Sequence, residues 1–163
     1  MSLKEEVEML RRIPFFAQVE ASKLKLLAFT SERVAFEAGQ VLFRQGDMGD
    51  AAYIIIEGDA DVLVDTPAGP VTVATLGRND FVGEIAILCD VPRTATVRAK
   101  ARLVTLRISK DLFLRLLNEF PQMAVAMMRE LAHRLELSNH KLRLAVAEAD
   151  SLRRASAGSG ASA

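Results

Sequence analysis

Several residue types are scarce in this chain, and each scarcity excludes something. Of 163 residues, one is cysteine, one is tyrosine and none is tryptophan. A single thiol, Cys89, rules out an internal disulfide framework and any cysteine-based zinc site. It has no imidazole near it in sequence, so an inert packing role in a reducing, cytoplasmic setting is expected of it. The only two histidines, His133 and His140, lie seven apart on one helical stretch. They read as surface or seam residues rather than metal ligands. Charge of one sign is not in excess, with Lys plus Arg and Asp plus Glu at 21 each. That balance argues against a general nucleic-acid or membrane-surface binder, leaving only a local basic patch open. The sequence shows no signal peptide and no apolar run long enough to span a bilayer. It also shows no paired carboxylate with a poised base, no Ser-His-Asp set and no metal cluster. A non-enzymatic protein without a cofactor is expected.

Half the residues are hydrophobic, enough for one domain with a moderate core and an appended element. The segment 1–30 reads as helical. Ser2 is placed as an N-cap ahead of early acids and late arginines, Pro14 breaks the first helix, and Leu24, Leu27 and Ala28 form a stripe on the second. From 31 to 108 the texture changes to short Val-, Ile-, Thr- and Phe-rich segments between glycine-containing turns. Evenly spaced strands of this kind predict a β-roll, a jelly-roll-like barrel, and an α+β fold overall. "ADVLVD" and "TATVRAKA" alternate and should each have one wet face. "AAYIIIEG" is apolar throughout and should be covered on both faces, and "DTPAGP" should be a hairpin tip. Over 109–152 the pattern is helical again, with Ser109 as N-cap and Pro121 opening a long helix. The tail 153–163 is small, flexible in composition and expected to be disordered.

The long helix carries Ala124, Met128, Leu131, Leu135, Ser138, Leu142 and Ala145 at alternating spacings of four and three. A period of about 3.5 residues is a coiled-coil seam. The stripe either packs on its own β-domain or joins two copies in a homodimer, and the length of the helix favours the dimer.

The stretch "FVGEIAILCDVPRTATV", 81–97, sets an acid, Glu84, and a base, Arg93, in the most apolar part of the chain. Burying a charge without a partner is costly. One solution is an ion pair between the two. The other is an anion site. Gly83 allows close backbone approach, and "EIAIL" is long enough for a helical turn whose first N–H groups attract phosphate. Arg93 adds a rigid fork of charged donors, and Thr94 a hydroxyl. Glu84 repels phosphate but accepts a hydrogen bond from a sugar hydroxyl. A phosphate on a ribose with a free hydroxyl satisfies the whole set.

That stretch resembles the phosphate-binding cassette of cyclic nucleotide-binding domains. "GDMGDAAYIIIEGDADV" and "LGRNDFVGE" are similar to the family's glycine-rich turn, aromatic strand and lead-in, and the likeness runs from about Leu10 to about Leu142. The resemblance implies a β-roll with short N-terminal helices, a short phosphate-binding helix and a long C-terminal helix. It implies that Glu84 accepts the ribose 2′-hydroxyl, and that Gly83, Ile85 and Ala86 offer backbone contacts to sugar and phosphate. Arg93 would pair the cyclic phosphate, Thr94 would donate to it, and Val82 and Val97 would line the pocket. Asn79 stands where many members carry glycine, a substitution that asparagine's tolerance of the left-handed region accommodates.

"AHRLELSNHKLRLA" is similar to the C-terminal helix of bacterial catabolite-activator-like regulators of the Crp/Fnr kind, where adjacent hydroxyl-bearing residues contact adenine across a dimer. Ser138 and Asn139 match that pair, and Ser138 also falls on the seam. They favour cyclic AMP. Thr94 is the residue type that accompanies cyclic GMP in related domains, so cyclic GMP is the alternative ligand. The reading is a sensor domain whose ligand shifts the C-terminal helix, acting through a homodimer and an unknown downstream protein, with no DNA-binding element expected in this chain. A nucleotide-independent interaction module, or the sensor fragment of a larger transcription factor, channel or transporter, remains the competing reading.

Overall fold

The computed structural model describes residues 2–161. They fall into two compact units, one ending at Met123 and the other starting at Ala124. The first unit opens with helix α1, Leu3–Arg11. Its start is the expected one: the Glu5 N–H donates to Ser2 Oγ at 3.3 Å, and the Ser2 N–H donates to the Glu5 carboxylate at 2.8 Å. This reciprocal capping box satisfies two donors that the helix cannot. It also holds the Glu5 carboxyl below the usual carboxylate range. Pro14 ends the helix in a short 3-10 turn, Pro14–Phe16, and helix α2, Ala21–Thr30, buries Leu24 and Leu27 with Ala28 half-buried.

Eight strands follow among the described residues: β1 Glu32–Phe36, β2 Val41–Phe43, β3 Ala51–Glu57, β4 Ala60–Thr66, β5 Gly69–Leu76, β6 Phe81–Val82, β7 Thr96–Ala99 and β8 Leu103–Ser109. They form two four-stranded sheets, ordered β1-β8-β3-β6 and β2-β7-β4-β5, and every pairing is antiparallel. Between the sheets lies a core of Tyr53, Ile55, Ala60, Val82, Val97, Ala99 and Leu103, with Phe36, Phe43 and Val62 packed against it. On β3 alternate residues must face opposite ways. Tyr53 and Ile55 line the inner core, while Ala52 and Ile54, also buried, face the helical layer. Helix α4, Lys110–Glu119, packs on β3 and β8 and begins at Ser109, whose Oγ accepts the Leu112 N–H at 3.4 Å. This is the predicted roll, and the "AAYIIIEG" strand is covered on both faces as expected.

Three sequence readings are corrected. β4 has no wholly wet face: Ala60 and Val62 belong to the inner core, and Leu63, of the opposite parity, is buried as well; the extra residue where its register with β5 shifts is Val73, on β5. Cys89 is exposed rather than packed, since it caps a short helix and its side chain leaves the core at the start of a turn. The stretch expected to be disordered from 153 onward is helical as far as Ala161; residues 162–163 of that expectation lie outside the described residues. Once a helix is nucleated each further residue is cheap to add. Alanines and arginines there favour it, although Gly158 and Gly160 each cost about 1 kcal/mol relative to alanine.

The final helix, α5, runs from Pro121 to Ala161, 41 residues. The second unit consists of this helix from Ala124 onward. On it Met128, Leu135 and Leu142 of the predicted seam are 59%, 61% and 61% exposed. The charged face is laced by an Arg134–Glu130 ion pair at 3.2 Å. No helix among the described residues is long and apolar enough to cross a membrane.

Candidate functional site

The cassette is built at the N-terminal end of β3. β6 ends at Val82, the chain turns at Gly83, and helix α3, Glu84–Leu88, begins at once. Gly83 has φ +89°, a left-handed conformation that residues with side chains rarely adopt. It is also crowded. A Cβ there would stand 2.7 Å from Arg93 Nη1, 3.2 Å from the Ala51 carbonyl oxygen and 3.3 Å from the Phe43 ring. Only glycine fits, so this position is what lets the arginine lie against the backbone. Gly83 brings no side-chain cap to α3, so the first amides of the helix are left without a side-chain acceptor. Gly49 plays a matching part on the other side, because a Cβ there would meet Ala86 Cβ at 2.5 Å.

Both charges of the cassette are buried, Glu84 and Arg93 each at 3% exposure. The guanidinium of Arg93 donates from Nη1 to the Gly83 carbonyl at 2.8 Å and from Nη2 to the Ala51 carbonyl at 2.7 Å. Nη2 lies 3.5 Å from Asp50 Oδ1, at the limit of a useful hydrogen bond. Its Cζ sits 4.0 Å over the Phe43 ring centre, a cation–π contact. Arg93 Nε is buried and has no hydrogen-bond partner among the described residues. Burial weakens the guanidinium's hold on its proton, with the Asp50, Tyr53, Asp47 and Glu84 charges opposing in that order. The group stays charged at any ordinary pH. A cation held in such poor solvation, with a donor unspent, attracts an anion more strongly than one in water.

The loop before β3 ties the site together. The Arg93 N–H donates to the Asp47 carbonyl and the Gly46 N–H to the Arg93 carbonyl, both at 2.8 Å. The Gln45 N–H donates to Thr96 Oγ1 at 2.9 Å. Asp50 Oδ2 accepts from Arg107 Nη2 at 3.0 Å, and Arg107 Nη1 stands 3.8 Å from Glu32. Burial acts against the charge on Arg107, but Tyr53 and Asp50 outweigh it and raise its proton affinity.

Of the residues singled out in the sequence, Val82, Gly83, Glu84, Ala86 and Arg93 come together here, with Val97 in the adjoining core. Ile85 and Thr94 are exposed at the same cassette. Ser138 and Asn139 are exposed on α5, in the second unit. Asn79 takes φ 72°, the left-handed conformation expected of it. Sequence reasoning missed Asp50, Phe43 and Arg107. Asp50 closes the "GDMGD" turn, where its carboxylate next to β3 was a usable signal. Nothing in the sequence marked Phe43 or Arg107, because their roles depend on strand register. A groove of about 1000 Å³ at the other end of β3, bordered by Arg12, Ile56, Glu57 and Arg78, includes no cassette residue.

The family model of the cyclic nucleotide-binding domain matches residues 33–120, more than half of the chain. A β-roll with a buried acid and base around a glycine-started helix fits that class. The chain belongs to the cyclic nucleotide-binding domain family. It is 38% identical over 109 residues to a cAMP-dependent protein kinase regulatory subunit of Blastocladiella emersonii, covering 66% of this chain and 27% of that one. The chain therefore spans about a quarter of that relative's length. Among solved structures it resembles the sensor domain of the transcriptional regulator DNR from Pseudomonas aeruginosa, with TM-score 0.72 and 25% identity over 82% of this chain and 90% of that one. It also resembles the regulatory subunit of a cAMP-independent protein kinase A from Trypanosoma brucei, with TM-score 0.69 and 28% identity over 80% and 47% of the two chains.

Proposed function

We propose that this domain is a cytoplasmic, non-enzymatic sensor that binds a cyclic nucleotide, cyclic AMP in preference to cyclic GMP. The observation that carries the reading is Arg93, a buried guanidinium with an unpartnered Nε at the mouth of a glycine-started helix. The cyclic phosphate would take Nε and the first amides of α3, with the Thr94 hydroxyl beside them. The ribose 2′-hydroxyl would donate to Glu84, and Gly83, Ile85 and Ala86 would contact sugar and phosphate through their backbone. Val82 and Val97 would line the pocket. The base would be read by Ser138 and Asn139 on α5, which favours adenine, while Thr94 keeps cyclic GMP as the second ligand. Binding would shift α5, and that shift would alter a homodimer joined along the Met128–Leu135–Leu142 stripe, or a surface offered to a downstream protein. The names of the kinase relatives make a kinase catalytic subunit one partner to test.

A second reading is favoured by a specific feature. Both Nη atoms of Arg93 already have backbone acceptors, so the site is partly self-satisfied. A relative named cAMP-independent shares the fold. In this reading the domain is an interaction module that needs no nucleotide. Calorimetric titration of cyclic AMP, cyclic GMP, adenosine and guanosine separates the two. The sensor reading expects cyclic AMP tightest, cyclic GMP next and the phosphate-free nucleosides far weaker. Equal or absent binding of all four sinks it.

A further inference from the structure

Two arginines share one carboxylate beside the cassette. Asp50 immediately precedes β3, and its backbone is held by the Lys110 N–H, which donates to the Asp50 carbonyl at 2.9 Å. Its side chain is mostly exposed, so backbone and solvent do not fix where the carboxylate points. Arg107 does. It lies on β8 directly across from Tyr53 of β3, and from there its Nη2 reaches Asp50 Oδ2 at 3.0 Å. The second oxygen of the same carboxylate is 3.5 Å from Arg93 Nη2. The carboxylate is thus drawn to Arg107 and only loosely engaged with Arg93.

We propose that Arg107 is a positioning residue for the anion site: it holds the Asp50 carboxylate off Arg93 and so leaves that guanidinium free to take a phosphate. The inference rests on the cyclic-nucleotide reading of the cassette. The charge count gives its physical basis. A carboxylate closed on Arg93 in the bidentate geometry that guanidinium groups prefer would neutralise it and occupy the edge a phosphate needs. With Asp50 engaged by Arg107, the pair Asp50–Arg107 is neutral and Arg93 keeps its full charge toward the ligand. Glu32 also pairs with Arg107, and at 3.8 Å it competes weakly. Arg107 also joins the site to the helical layer, because β8 runs directly into α4.

The test is calorimetry with cyclic AMP and cyclic GMP on the whole chain, in wild type and in Arg107→Gln, Asp50→Asn and the double variant. Arg107→Gln is expected to weaken binding on the order of tenfold, the scale of one charge-assisted hydrogen bond. In the Asp50→Asn background the same substitution should change affinity less than about twofold, since no carboxylate remains to be held back. Unchanged affinity in Arg107→Gln overturns the proposal. So does an equal loss in both backgrounds, which would mean that Arg107 acts by its own charge on the ligand. Should Arg107→Gln fail to fold, Arg107→Lys carries the same test. Lysine keeps the charge but lacks the fork, so an intermediate loss that vanishes with Asp50→Asn is expected, and a loss that persists there overturns the proposal. If wild type binds neither nucleotide, the sensor reading itself has failed and the proposal falls with it. Binding by wild type with no effect of Arg107 leaves the sensor reading standing and removes only the positioning role.

Discussion

The cassette and the long helix α5 solve opposite problems with the same residue types. At the cassette, charge is buried and apolar residues enclose it: Arg93 has two backbone carbonyls, a ring face and a carboxylate around it. On α5, charge is solvated and apolar residues are left outside: Met128, Leu135 and Leu142 are all more than half exposed. Every neighbour that fixes Arg93 belongs to the same unit, so the geometry there is set by the chain itself. The apolar stripe of α5 has its hydrophobic free energy still to gain. The first region is expected to respond to substitutions by losing ligand, the second by losing association.

The sharpest break in that comparison comes from Arg93→Ala. Truncating a buried hydrogen-bonding charge should weaken cyclic-nucleotide binding by about 2–5 kcal/mol, read by calorimetry, while oligomeric state is untouched. The reverse outcome is expected of Leu135→Lys. In the proposed homodimer each leucine removed from the seam forfeits about 1.5–3 kcal/mol of association, so light scattering should find a dimer in wild type and a monomer in the variant, with a β-roll that melts as before. Gly83→Ala sharpens the claim that the cassette is over-determined. The left-handed conformation and the crowding by Arg93 and Ala51 should lower stability by about 1–3 kcal/mol, seen as a lower melting temperature, and weaken ligand as well. The smallest effect belongs to neither region. Ser2→Ala removes the α1 cap at a cost of about 1 kcal/mol. Because the folded-state pKa of Glu5 is depressed, the carboxylate's share of that cap is present above the ordinary carboxylate range and lost as pH falls through it. Because the carboxylate accepts from the Ser2 backbone N–H, which alanine keeps, circular dichroism should find wild type and variant both losing that share in acid, with the difference due to Ser2 Oγ persisting.

The same contrast explains what was legible in the sequence. The cassette could be singled out because its residues are local: Gly83, Glu84 and Arg93 lie within eleven residues, and an acid and a base among apolar neighbours there leave an ion pair or an anion site, between which the family resemblance chooses. The Ser2 and Ser109 caps are legible for the same reason, while the left-handed Asn79 follows from the family resemblance, which puts glycine there. Asp50, Phe43 and Arg107 were not, because the β3–β8 ladder and the turn after β2 bring them to the site from distant parts of the chain. The bulge in β5 at Val73 is not marked in the sequence, because an inserted residue leaves the composition of a strand unchanged. The expectation of a packed Cys89 rests on its lack of a nearby imidazole, which speaks to reactivity and not to burial; it stands exposed at the end of a short helix. The helical tail was misjudged from its glycine and serine content, which outweighs alanine in a compositional reading but not in a helix already nucleated.

The central claim is that Arg93 Nε is held in reserve for a phosphate. It is tested most directly by following the Arg93 Nε–Hε resonance by NMR while cyclic AMP, and separately cyclic GMP, is added to the whole chain. A saturable shift of that resonance with cyclic AMP, reached at lower ligand than with cyclic GMP, is the predicted result. A resonance that stays in place at high excess of both nucleotides would contradict the account.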